Sequence, residues 1–119
     1  MKFVSRKLHA VLDYLSAIVL IGVPYVFEFQ DEGMAYYVAM LAGVFILLMS
    51  ILTRYEGGLV HWLPMSAHLS LDILLGIFLC ISPWLLGFSQ QTYLPHLIMG
   101  IIAICTGIFS NPNSIRSDL

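Results

Sequence analysis

The sequence predicts an all-α membrane protein: four transmembrane helices arranged as two parallel two-helix repeats. Three observations lead there. Hydrophobic residues make up 60% of the chain and charged residues only 10%, against about 25% charged in a soluble domain. The apolar residues fall in four runs, each of roughly the 20 residues that cross about 30 Å of hydrocarbon. The chain also matches itself: His9 and His68, Asp13 and Asp72, Pro24 and Pro83, and Phe29 and Phe88 are each 59 residues apart. A chain this poor in polar groups cannot face water on all sides, so lipid is the solvent for most of its surface. Its 119 residues allow one domain, 1–119, with repeat 1 at about 5–53 and repeat 2 at about 64–110.

A basic lead, MKFVSRK, precedes the first helix, expected over 5–27. It reads as the flank of a span rather than a cleaved leader. The apolar run is interrupted by His9 and Asp13, and no small-x-small cleavage pattern follows. An acidic loop at 28–33 leads to a second helix over 34–53 with no charged residue. The central connection, 54–63, breaks at Gly57 and Gly58. A third helix is expected over 64–86, with Pro64 in its first turn, where a missing N–H is no loss. A short polar loop at 87–92 precedes the fourth helix over 93–109, the shortest, with Pro95 and His96 near its start. The tail from Ser110 is polar. Tyr36 and Tyr93, and Gly43 and Gly100, match at a spacing of 57, so the second hairpin has the shorter loop.

With four spans, the N-terminus, the central connection and the tail share one side. Lys2, Arg6, Lys7, Arg54 and Arg116, every Lys and Arg in the chain, fall there. Glu28, Asp31 and Glu32 fall on the other. The positive-inside rule places both termini in the cytoplasm, and Tyr25, Tyr36, Tyr37, Trp84 and Tyr93 suit an aromatic belt at the opposite interface. Two spans per repeat send both copies into the membrane in the same direction. The expected pseudo-twofold axis therefore runs along the membrane normal, unlike that of inverted repeats. A net charge of −2 with no basic cluster beyond the N-terminus argues against nucleic acid. The expected partners are the bilayer and a second copy or another membrane protein. Small residues at helical spacing, Ala35, Ala39 and Gly43 in one run and Ala103 and Gly107 in another, suit close helix packing.

Ile81-Ser82-Pro83-Trp84-Leu85-Leu86-Gly87-Phe88, with His68 and Asp72 upstream, resembles the repeat of the SPW-repeat family of small bacterial membrane proteins. The resemblance covers both halves. The first copy departs from it, with Val23-Pro24-Tyr25 where Ser-Pro-Trp would stand. The resemblance implies a multi-spanning membrane location and no established activity, cofactor or catalytic residue. Independently of it, Pro24 and Pro83 each remove a helix hydrogen bond and should kink or end their helices. Tyr25 and Trp84 read as interfacial anchors.

The residues that could carry chemistry are the His–Asp pairs. Positions four apart share a helix face, so His9, Asp13 and Ala17 form one stripe and His68, Asp72 and Gly76 another. Each aspartate lies about 6 Å deeper than its histidine. A carboxylate at a helix centre costs about 2.5–3.5 kcal/mol on insertion scales, so both should face protein with a partner. Ala17 and Gly76, one turn further in, are expected to let the first and third helices approach closely. Three readings compete: hydrogen bonding that holds the repeats in register, a proton or ion relay, and a metal site of two His and two Asp. His61 and His96 read as interfacial, and Cys80 and Cys105 as free packing thiols at different depths. No nucleophile–base pair or nucleotide fingerprint is present. The preferred function is a non-enzymatic structural, interaction or accessory role in the bacterial cytoplasmic membrane, without a cofactor. A small transporter or channel using the His–Asp pairs is the runner-up, and a membrane enzyme with a His/Asp metal site is third. Tag-accessibility mapping should find both ends of the chain cytoplasmic. A terminus on the outer side would break this topology and the parallel-repeat argument with it.

Overall fold

The computed structural model describes residues 2–114. Four helices carry the chain: α1 (Arg6–Val26), α2 (Gly33–Leu52), α3 (Met65–Leu85) and α4 (Leu94–Phe109). Each boundary falls within one residue of its sequence expectation. Pro64 is the N-cap of α3 rather than part of its first turn. α1, α2 and α3 are long and apolar enough to cross a membrane, while α4, with 16 residues, is shorter. Among the described residues there is no strand, only the isolated bridges Val4–Ser110 and Thr53–Leu63. Arg116, counted above among the basic residues of one side, lies outside the described residues.

α1 and α3 stop in the same way. Pro24 and Pro83 each lie in the last turn. Four residues after each proline the chain turns into the left-handed region, at Glu28 (φ 57°) and at Gly87 (φ 78°). The next N–H then reaches back to the proline carbonyl: Phe29 to Pro24 at 2.7 Å and Phe88 to Pro83 at 2.8 Å. This six-residue closure is a Schellman ending, and the buried Phe29 and Phe88 supply its hydrophobic contact. Pro83 also leaves the Leu79 carbonyl without its usual N–H. The Ser82 hydroxyl donates to that carbonyl at 2.9 Å, which gives the serine of Ser-Pro-Trp a structural task. Val23, at the matching place in α1, has no hydroxyl to offer.

The closest packing lies within the two hairpins, α1 on α2 and α3 on α4. Glycine makes it so. A Cβ on Gly76 would come within 2.6 Å of the Gly100 carbonyl, and one on Gly100 within 2.6 Å of the Gly76 carbonyl. A Cβ on Gly43 would lie 3.0 Å from the Ala17 carbonyl. Ala17 and Gly76 therefore serve contacts inside their own hairpins. The expectation that they bring α1 and α3 together is corrected: their faces turn toward α2 and α4. Between the hairpins lies an apolar core that includes Ala17, Leu20, Ala39, Ile46 and Leu79. Leu15, Ile18, Leu41 and Leu74 stand exposed on the outside, as expected where lipid is the solvent.

Helix C-termini leave their last carbonyls unpaired, and the connections here fold back to meet them. At the end of α2, the Ile51 carbonyl accepts from the Leu59 and Val60 N–H groups, and the Leu52 carbonyl from Trp62 and Leu63. At the end of α4, the Phe109 carbonyl accepts from the Val4 N–H and the Ile108 carbonyl from Lys2 Nζ. Arg6 adds a pairing with Glu56 and a bond to the Asn113 carbonyl. The N-terminal segment, the central connection and the start of the tail thus gather at one end of the bundle. Folding back this tightly turns Tyr55 inward, fully buried.

The left-handed region costs a non-glycine residue roughly 1–2 kcal/mol, and glycine's extra freedom in the unfolded chain offsets about 0.5–1 kcal/mol of any gain. Glu28→Gly should therefore raise the melting temperature in detergent by a few degrees, and Gly87→Ala should lower it. Equal melting of Glu28→Gly and wild type would show that this turn carries no strain.

Candidate functional site

The two His–Asp stripes meet. α1 supplies His9 and Asp13, α3 supplies His68 and Asp72, and all four are buried, the two histidines at 0% exposure. His9 Nε2 lies 3.1 Å from Asp13 Oδ1 on its own helix and 2.9 Å from Asp72 Oδ2 across the bundle. His68 Nε2 lies 3.3 Å from Asp72 Oδ2 on its own helix and 2.9 Å from Asp13 Oδ2 across it. One ligand-type atom from each residue falls within 4.8 Å of every other. The imidazole rings meet edge to face, with centroids 5.1 Å apart. Every sequence-predicted member of this cluster is present, and each histidine touches both carboxylates.

The outward-facing nitrogens of the imidazoles are held by hydroxyls that the sequence reading passed over. His68 Nδ1 is bonded to Thr53 Oγ1 at 2.5 Å, and His9 Nδ1 to Ser110 Oγ at 2.6 Å. Thr53 is the C-cap of α2 and Ser110 the C-cap of α4, with nearly the same backbone angles. Each histidine is therefore gripped by the far end of the other hairpin. The Thr53 hydroxyl donates its own proton to the Met49 carbonyl. Toward His68 it can only accept, so the His68 Nδ1–H is the donor.

Tyr55 completes the cluster. Its hydroxyl donates to Asp13 Oδ2 at 2.7 Å, and its ring lies against both imidazoles, with centroids 6.2 Å from His9 and 5.4 Å from His68. Burial, reinforced by the nearby Asp13 carboxylate, pushes the Tyr55 hydroxyl well above the ordinary tyrosine range. Tyr14, one position from Asp13, faces away from the cluster and donates to the Gly57 carbonyl at 2.7 Å. Nothing in the local sequence marks Tyr55, which stands between Arg54 and Glu56 in a polar connection. The signal for Thr53 and Ser110 was available: hydroxyl residues 57 apart, ending the second helix of each copy.

The remaining sequence candidates are placed as follows. His96 is corrected: it is buried between helices, not interfacial. Its Nε2–H donates to the Ala35 carbonyl at 3.0 Å, and its ring packs between Phe29 and Phe88. An apolar ring pair with a single carbonyl acceptor suits a neutral imidazole. His61 is half-buried in the connection, with Nε2 3.2 Å from the Gly58 carbonyl. Cys80 and Cys105 are free thiols. At the far end of the bundle from the quartet, Tyr25 and Tyr36 share a hydrogen bond and Trp84 packs on Tyr93. Tyr25, Trp84 and Tyr93 are all exposed.

These features define a class: a helical membrane protein with an ionisable cluster buried between two hairpins. The chain belongs to the SPW repeat domain family, whose model matches residues 7–110. No curated protein and no solved structure matches it.

Removing the Tyr55 hydroxyl leaves a buried carboxylate short of one donor, a loss of about 1–3 kcal/mol. Tyr55→Phe should melt several degrees below wild type in detergent near neutral pH. The tyrosine stays protonated in the folded protein but ionises in the unfolded chain above pH about 10. Its contribution is thus complete below that pH and lost as pH rises further. The gap between wild type and Tyr55→Phe should narrow above pH about 10. A constant gap through that range would show that the hydroxyl is not held by burial.

Proposed function

We propose that this is an integral protein of the bacterial cytoplasmic membrane with a structural or accessory role, in which the quartet locks two hairpins into one bundle. The observation that carries this reading is reciprocity: each histidine contacts both aspartates, and each is braced by the C-cap hydroxyl of the opposite hairpin. Neither hairpin can satisfy its own charged groups alone, so each completes the other. In this reading 1–119 is one domain built from two repeats, 5–53 and 64–110, about a pseudo-twofold axis along the membrane normal. The matched boundaries of α1 and α3, and the matched partners of His9 and His68, support it. All four helices cross the membrane, and the end that carries Lys2, Arg6, Lys7 and Arg54 lies in the cytoplasm with both termini. At about 1.5 Å per residue α4 spans roughly 24 Å, so it sits where the bundle thins the bilayer slightly.

The apolar core beyond the quartet favours a lock over a conduit. Just past Asp13 and Asp72 the buried side chains are apolar, among them Ala17, Leu20, Ala39, Ala42, Ile46 and Leu79. The next buried polar groups, the Ser82 hydroxyl and the His96 imidazole, lie toward the opposite end, each bonded to a backbone carbonyl. The grooves between hairpins, such as the one lined by Val19, Val23, Ile98 and Met99, are apolar and are not lined by the quartet.

Asp13→Leu strands two imidazoles and a tyrosine hydroxyl, and breaking a buried pair from one side costs about 3–5 kcal/mol. Asp13→Asn keeps acceptor and donor atoms and should be milder. In detergent, Asp13→Leu should melt well below Asp13→Asn, and Asp13→Asn below wild type. In proteoliposomes all three should leave proton flux at the lipid background. Unchanged melting in Asp13→Leu would sink the lock, and wild-type flux that both variants abolish would replace it with a relay.

A further inference from the structure

We propose that the quartet is a metal centre in which His9, Asp13, His68 and Asp72 hold a single divalent transition-metal ion, zinc foremost. The inference rests on the lock reading, since the ion would close the same cluster. The argument begins with direction. His9 Nε2, His68 Nε2 and Asp72 Oδ2 are fully buried, and none makes a hydrogen bond of acceptable geometry, although they lie 2.9–3.3 Å apart. An imidazolium carries one hydrogen on each ring nitrogen, aligned with the ring plane. A pair of salt bridges would aim that hydrogen at one oxygen. Here each Nε2 instead sits between two carboxylates and aligns with neither. That is the arrangement of atoms gathered around a shared centre.

The protonation pattern agrees. The Thr53 hydroxyl gives its proton to Met49, so His68 must donate through Nδ1. In the neutral ring Nε2 is then a lone pair, facing two carboxylates with nothing positive between them. Metal-bound histidines use this pattern: one nitrogen ligates and the other donates to a fixed acceptor that sets tautomer and ring orientation. Asp13 has the analogous support, with the Tyr55 hydroxyl on Oδ2. Bonds of about 2.0–2.2 Å place tetrahedral ligand atoms roughly 3.3–3.6 Å apart. The N···O distances here are 2.9–3.3 Å, with the two histidines meeting different oxygens of Asp13. Single ligand atoms from the four residues lie within 4.8 Å of one another, so side-chain adjustments of about 1 Å or less would close the set on one ion. Two neutral imidazoles and two carboxylates around a divalent ion sum to zero charge, which suits a site inside a membrane. Imidazole with carboxylate is a ligand set for zinc or a similar ion, and no thiol stands near to favour a softer one.

The test uses the full chain purified in detergent from cells grown with added zinc, with metal measured by mass spectrometry and folding by thermal melting. Wild type should carry about one zinc per chain; stripping with a chelator should lower its melting temperature, and Zn2+ alone should restore it. Asp72→Asn should hold little zinc, and chelator should leave its melting unchanged. Should Asp72→Asn fail to fold, Thr53→Val answers instead. It keeps all four ligands but frees His68, and should weaken zinc binding by about 10–100-fold. Cobalt in place of zinc should give visible bands of a four-coordinate site in wild type. A wild type that takes up no zinc and melts alike with and without chelator overturns the metal centre. So does zinc that Asp72→Asn and Thr53→Val retain at wild-type level. Those outcomes leave the lock standing as long as Asp13→Leu still destabilises, so the two readings fail separately.

Discussion

Burying ionisable groups where lipid is the solvent is tolerable only if they satisfy one another. This constraint shapes the whole bundle. His9 and Asp13 cannot face acyl chains without several kcal/mol of loss, and their own hairpin offers them no further partner. The same holds for His68 and Asp72. Docking the hairpins brings the two pairs together, so that each histidine lies near both carboxylates. Between helices in a membrane there is little hydrophobic drive to associate. Small-residue packing draws α1 to α2 and α3 to α4, and it operates within the hairpins. The polar quartet is what ties one hairpin to the other near the charged end, with His96 and the two phenylalanines doing so at the opposite end.

The irregular segments serve the same constraint. A C-terminal helix end must pair its last carbonyls, and the central connection does this for α2 by folding back on Ile51 and Leu52. That fold places Thr53 against His68 and carries Tyr55 down onto Asp13. The N-terminal segment plays the equivalent part for α4, holding Ser110 beside His9. Backbone pairing at the helix ends and side-chain satisfaction at the quartet are therefore one arrangement. Loosening a connection would release a partner from the buried cluster.

The fold was legible in the sequence because its signals are local. Apolar runs set the helices, and prolines and glycines set their ends. The quartet was legible because the i, i+4 spacing and the internal match act together, and a carboxylate in an apolar run has few places to go. Tyr55 was not legible, since its burial follows from how a connection satisfies distant carbonyls. His96 was misread for a related reason: its position near a helix start suggests an interface, but Phe29 and Phe88 of both hairpins close over it. Gly76 was placed on the right face with the wrong neighbour, because helical spacing tells which residues share a face and not which helix that face meets.

The two copies differ most where a difference can be absorbed locally. Ser82 mends a carbonyl that Val23 cannot, and Gly87 takes without strain a conformation that Glu28 takes with it. Gly76 gives α3 the closer approach to α4: a Cβ on Gly100 would lie 2.6 Å from the Gly76 carbonyl, against 3.0 Å from the Ala17 carbonyl for one on Gly43. In each case the second hairpin is the better formed, and the consequence stays inside one hairpin. At the quartet the copies do not differ. A change there would leave a partner in the other hairpin unpaired, and no local adjustment in either could satisfy it. The asymmetric element is Tyr55, which gives Asp13 a donor that Asp72 lacks. Asp72 Oδ2 is thus left with only the two imidazoles beside it, where Asp13 Oδ2 has a tyrosine hydroxyl as well.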